Sequence, residues 1–146
     1  MHRMSKFAWL GPVVAGAILV GGCAAAPAVA KKEAPATVEK LADGLNKLSV
    51  TQKATERLGM ELSAVQATTV NGQRRLTVPY GAVIYDKDGG IWAYTVQEPR
   101  VFVRQKLTIE AIEGPTVILS AGPPAGTQVV SVGAAELFGL EFGIGK

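Results

Sequence analysis

Few residues of this chain are equipped for covalent or metal chemistry. It has one cysteine, Cys23, and one histidine, His2. Cys23 ends the run Val20-Gly21-Gly22-Cys23, at the close of an apolar stretch, Phe7–Val20, that follows a short basic head of His2, Arg3 and Lys6. A charged head, an apolar middle and small residues before a cut point make a processing signal, not part of a fold. The other candidates are the carboxylates Asp86, Asp88 and Glu98, which flank one predicted hairpin.

The spacing around Cys23 resembles the lipobox of bacterial lipoproteins. That resemblance implies a diacylglycerol on the thiol, cleavage before Cys23 and an often acylated new amino terminus. The competing reading is an uncleaved anchor, because Phe7–Ala30 is nearly free of polar side chains and long enough to span about 20 residues of hydrocarbon. Pro12 and Pro27 each remove a backbone donor, and Gly21-Gly22-Cys23 fits a cleavage site better than a helix interior. Both readings hold the basic head inside and place Ala24 onward on the extracytoplasmic side of the cell membrane.

On the lipobox resemblance, cleavage removes His2 and lipid occupies Cys23. A chain without histidine or free thiol has no Ser-His-Asp or Cys-His catalysis, no zinc site on those ligands and no haem held by His. What remains is a Ser-Lys pair, paired carboxylates or calcium held by oxygen. Asp86-x-Asp88-Gly89 looks like the start of a calcium loop, but Gly90, Trp92 and Gln97 stand where further ligands belong. We therefore expect no catalytic residue, no metal and no cofactor, with Asp86 and Asp88 serving a turn.

The chain carries 15 basic and 12 acidic residues. Arg3 and Lys6 leave with the signal, so the rest is nearly neutral. Arg74-Arg75 is an isolated pair, and no basic run is interleaved with aromatics, which argues against nucleic acid as a partner. Lys31-Lys32 can meet anionic lipid, at about 1 kcal/mol per charge.

The elements that must position these residues are short. Ala24–Lys32 is an Ala/Pro tether. Val38, Leu41, Ala42, Leu45 and Leu48 recur at helical spacing, yet Gly44 costs about 1 kcal/mol in a helix, so Thr37–Leu48 reads as a short helix or a structured lead-in. Leu48–Val50 is strand-like, Thr51 caps a helix over Gln52–Leu58, and Gly59 stops it. Asn71-Gly72 between Glu61–Val70 and Gln73–Val78 predicts a hairpin with a type I′ turn. Ala82–Tyr85 and Ile91–Val96 predict a second, across Asp86–Gly90. Along Val101–Glu110 the apolar face is Val101, Val103, Leu107 and Ile109, with Phe102, Arg104, Lys106, Thr108 and Glu110 opposite. Thr116–Leu119 and Thr127–Val132 follow the turns Gly114-Pro115 and Gly122–Gly126. Ala134–Phe138 makes one helical turn before a Gly-spaced tail.

Seven or eight short strands imply a mainly β fold, a small β-barrel or β-roll with one or two short helices. The organisation read from the sequence is a lipoprotein signal over 1–22, a lipid-anchored flexible linker over 23–47 and a β domain over 48–146.

Thr51–Val65 with Arg57-Leu58-Gly59-Met60 resembles the barrel segment of periplasmic adaptor (membrane fusion) proteins of efflux transporters. Val78-Pro79, Ala82-Val83, Trp92-Ala93-Tyr94 and Phe102-Val103-Arg104 resemble their membrane-proximal domain. So do Val117-Ile118-Leu119, Ser120–Gly126, Val129-Val130 and Gly133-Ala134. The resemblance implies a non-enzymatic β domain that docks on a membrane transport protein, a transporter subunit. It does not extend to the lipoyl-like domain or the long helical hairpin of adaptors, for which Ala24–Lys47 has no room. Asp86, Asp88, Trp92 and Tyr94, with the turns Asp86–Gly90 and Gly122–Gly126, are the candidate partner contacts. The alternative is a stand-alone envelope module that binds a small molecule or ion, its pocket lined by Trp92, Tyr94 and Tyr85 with Asp86, Asp88 and Glu98 as polar contacts. The sequence fixes neither the partner's identity nor an oligomeric state.

Overall fold

The structure, a computed structural model, describes residues 33–144, and these fall in one compact unit, Glu33–Lys146. The signal segment, Cys23 and the tether Ala24–Lys32 lie outside the described residues.

Thr37–Leu48 is a β-hairpin and not a helix: β1 (Ala36–Lys40) pairs antiparallel with β2 (Asn46–Val50). The Gly44 that weakened the helical pattern has φ +84, a turn conformation. The first strand among the described residues, from Ala36, therefore lies within the stretch read as linker. The capping prediction holds. Thr51 accepts from the Ala54 N–H at the start of α1 (Gln52–Arg57), and Gly59, at φ +56, takes the chain out.

Next come β3 (Glu61–Ala64), β4 (Gln66–Val70) and β5 (Gln73–Pro79). Asn71 and Gly72 both have positive φ, as a type I′ turn requires. A 3₁₀ turn (Tyr80–Ala82) leads to β6 (Ile84–Tyr85) and β7 (Ile91–Glu98), the second predicted hairpin. Then follow β8 (Val101–Lys106), β9 (Thr108–Glu113), β10 (Thr116–Ala121), β11 (Gln128–Val132) and α2 (Ala134–Glu141).

Among the described residues these strands form two antiparallel sheets, in the order β1-β2-β8-β7-β11-β3, with β6 on β7, and β4-β5-β10-β9. The molecule is mainly β, a small roll with two short helices. Two runs that read as single strands each break once and cross from one sheet to the other. Both break at a buried apolar residue, Val65 and Leu107, each 2% exposed. Val65 N–H donates to Thr127 O, and Leu107 N–H donates to Ile91 O, so the corners stay hydrogen-bonded. These two breaks, with β1, raise the strand count above the predicted seven or eight.

The buried side chains form two cores, on opposite faces of the larger sheet. Leu48, Tyr94, Phe102, Val130 and Leu137 lead one, under α1 and α2; Val65, Val78, Leu107, Val117, Leu119 and Val129 lead the other. The corner at Leu107 overturns half of the predicted alternation. Leu107 and Ile109 face the second core as expected, but along β8 Phe102 and Arg104 are the buried residues, while Val101 and Val103 are half-buried. The reason is register. Leu48 lies opposite Phe102, so the β8 face shared with Leu48 is the one that packs on the first core.

Candidate functional site

The predicted contact residues do not gather on one surface. Asp86 opens a tight turn: its Oδ1 accepts from the N–H of Asp88 (3.0 Å) and of Gly90 (2.6 Å), and its Oδ2 accepts from Trp92 Nε1 (2.7 Å). The Trp92 hydrogen bond, then the Gly90 N–H, hold its carboxyl below the ordinary 3.8. Asp88 is exposed and lies 2.8 Å from Lys87 Nζ. Trp92 is half-buried, whereas Tyr94 is fully buried and is not at the surface, contrary to its expected role as a partner contact. Tyr85 pairs with Ile91, and Trp92 with Ile84, so the Tyr85 and Trp92 side chains leave opposite faces of the sheet. Glu98 lies at the other end of β7, about 20 Å from Asp86 at the rise of a strand. The aromatic pocket of the alternative reading is not assembled. A groove of about 340 Å³, lined in part by Ser63, Gln66, Thr77, Pro79 and Thr116, contains none of these residues.

What the fold does assemble lies under α2. Tyr94 and Arg104 are opposite one another on β7 and β8, and the β2–β8 register continues to Asn46 beside Arg104. Trp92 lies two residues from Tyr94 on the same face. Across this row, α2 lays down Ala134, Leu137 and Glu141, its buried stripe. Glu141 thus occupies a core position with a fully buried side chain. Its Oε1 accepts from Asn46 Nδ2 (2.9 Å), and its Oε2 accepts from the Tyr94 hydroxyl. Arg104 Nε is 2.9 Å from the same Oε2. That Nε is sealed from solvent yet makes no hydrogen bond, so its N–H is not aimed at the carboxylate and the contact is Coulombic.

The guanidinium is enclosed by ring faces: Trp92 at 4.9 Å, Phe142 at 5.3 Å and Phe138 at 5.8 Å from the ring centroids. Burial, and then the hydrogen bond to Glu141, push the Tyr94 phenol well above its ordinary 10.0. The cluster is therefore a phenol that stays protonated, an amide, a carboxylate and a guanidinium held on one another. It locks α2 to the sheet and presents a partly satisfied arginine ringed by aromatics.

Sequence reading missed Arg104, Glu141, Asn46, Phe138 and Phe142. One signal was present: Glu141 is the lone charge in Leu137–Ile144, at i, i+3, i+7 spacing with Ala134 and Leu137. The helix also runs on past Phe138 through Gly139 to Glu141, longer than the predicted single turn.

No family model matches the chain, and no curated protein matches it. Among solved structures, one that encompasses the N-terminal metal-binding site and the membrane proximal domain of SilB from Cupriavidus metallidurans CH34 is similar. The match covers 57% of this chain and 48% of that one, at 24% identity and a TM-score of 0.44. No residue role transfers from it.

Proposed function

We propose that the protein is a lipid-anchored lipoprotein whose β domain acts without catalysis, by docking on a membrane transport protein at the extracytoplasmic face. The observation that supports docking is the order of the adaptor-like segments. From Thr51–Val65 to Gly133-Ala134, all of them fall within the one compact unit. The anchor rests on Val20-Gly21-Gly22-Cys23 behind its apolar run. In this reading the lipid supplies effective concentration: confinement near the bilayer lets a weak docking surface act without high solution affinity. Tyr94, Arg104 and Glu141 are engaged with one another, which suits a structural lock better than turnover.

Mass spectrometry of the membrane fraction tests the anchor. A diacylated Cys23 at the mature amino terminus is expected; a free thiol or an intact Met1 overturns it. Affinity purification from membranes, with Cys23→Ala as control, tests docking. The wild-type chain recovers a transport protein and the control recovers less; recovery of no membrane protein by the wild type refutes the reading.

A further inference from the structure

We infer that the carboxyl-terminal end of α2, with Arg104 beneath it, is a second membrane contact that takes a phospholipid: the phosphate at the basic face of Arg104, Lys106 and Lys40, the acyl boundary on Phe142 and Ile144. The inference rests on the anchored reading only for its choice of occupant.

Three observations carry it. First, α2 ends in a Schellman motif: Gly143, at φ +71, donates to Leu140 O and Ile144 donates to Gly139 O. The residue in the place of Ile144 ordinarily packs on the residue in the place of Gly139. Here that residue has no side chain, and Ile144 is 68% exposed, held out by an ordered turn. Phe142, one face of the ring around Arg104, is 52% exposed beside it.

Second, Arg104 is incompletely satisfied. Its side chain is 9% exposed, and its Nε lacks a hydrogen bond. A guanidinium carries five N–H donors in a planar fork that suits a phosphate, and a buried donor without an acceptor is costly. Lys106 lies opposite Trp92 and Lys40 opposite Asn46, which places two more cations on this face.

Third, the tether sets which surface lies within reach. With lipid on Cys23, Ala24–Lys32 fully extended spans at most about 30 Å. The bilayer is then never farther than that from the start of the folded unit. An apolar tip outside a recessed cation suits an interface where hydrocarbon lies deeper than phosphate.

The test uses the folded unit Glu33–Lys146, which has both cores and lacks Cys23, so a failure here leaves the anchor untouched and a failed anchor leaves this result standing. Trp92 is its sole tryptophan, since the other is Trp9, and it lies against Arg104. With phosphatidylcholine–phosphatidylglycerol vesicles, we expect the unit to co-sediment and Trp92 emission to shift to the blue. Phe142→Ser and Ile144→Ser, both at exposed positions, each weaken partition roughly tenfold, while Tyr85→Ser leaves it unchanged. Vesicles of a phosphate-free glycolipid bind less. No partition at millimolar lipid overturns the inference, as does partition indifferent to Phe142 and Ile144. So does a Trp92 response to inorganic phosphate with none to vesicles, which would make the site one for a free anion.

Discussion

Replacing Glu141 with alanine removes one carboxylate and leaves three partners behind. Arg104 keeps its charge at 9% side-chain exposure, with no other carboxylate within ion-pair distance among the described residues. An ion pair broken from one side in such a place costs about 3–5 kcal/mol. Tyr94 and Asn46 also lose their acceptor; the buried Tyr94 hydroxyl alone adds about 1–3 kcal/mol. The ring faces of Trp92, Phe138 and Phe142 offset part of this, at about 0.5–1 kcal/mol each. The net expectation is a loss of about 3–5 kcal/mol, a large share of the roughly 5–15 kcal/mol that holds a domain of ordinary stability. Urea unfolding of Glu33–Lys146, followed by Trp92 emission, measures it. Glu141→Gln keeps an acceptor and serves if the alanine variant does not fold. The decisive comparison is a cycle with Arg104→Met. Removal of both charges leaves no uncompensated ion, so Arg104→Met/Glu141→Ala should recover much of the loss, with a coupling of about 2–3 kcal/mol. A coupling below about 0.5 kcal/mol refutes the reasoning, for Arg104 would then be held by the rings alone.

Two further outcomes follow, one from the same cluster and one from the contact of Gly81 with β11. Burial and the Glu141 hydrogen bond raise the Tyr94 pKa above its ordinary 10.0, so the folded state keeps a proton that the unfolded chain releases. That contribution is whole below pH 10 and lost as pH rises above it. Unfolding midpoints between pH 9 and 11 should fall in the wild type, and Tyr94→Phe, though less stable at neutral pH, should lose that component of the fall. At Gly81 an added Cβ would lie 2.5 Å from Ser131 O, a main-chain atom of β11 that cannot rotate away. Gly81→Ala should cost about 1–3 kcal/mol in the same urea assay.

The local rules in this chain were legible because they act within a few residues. Thr51 caps α1, Asn71-Gly72 turns β4 into β5, and Gly59 ends its helix, each for reasons a short stretch contains. Thr37–Leu48 misled because its apolar spacing fits a helix, while β8, the strand that takes the β1–β2 hairpin into the sheet, lies far along the chain. The same distance hid the site. Whether Phe102 and Arg104 or Val101 and Val103 face inward is decided by Leu48 across the sheet, and a phase error of one residue exchanges the faces. Glu141 was visible as a charge in an apolar tail, but only the strands bring Asn46, Tyr94 and Arg104 to it.

That arrangement also says what kind of element α2 is. Its apolar contacts, Ala134 and Leu137, lie toward its start, and the buried residue of its last turn is the charged Glu141. Apolar contacts tolerate small shifts, whereas hydrogen bonds from Tyr94 and Asn46 to one carboxylate fix position and rotation together. The start of α2 is therefore held by burial and its end by directed polar bonds. The end that is fixed in orientation is the one that carries Phe142 and Ile144. Such precision is wasted on a fraying terminus; it makes sense where two exposed apolar side chains must keep a constant aim.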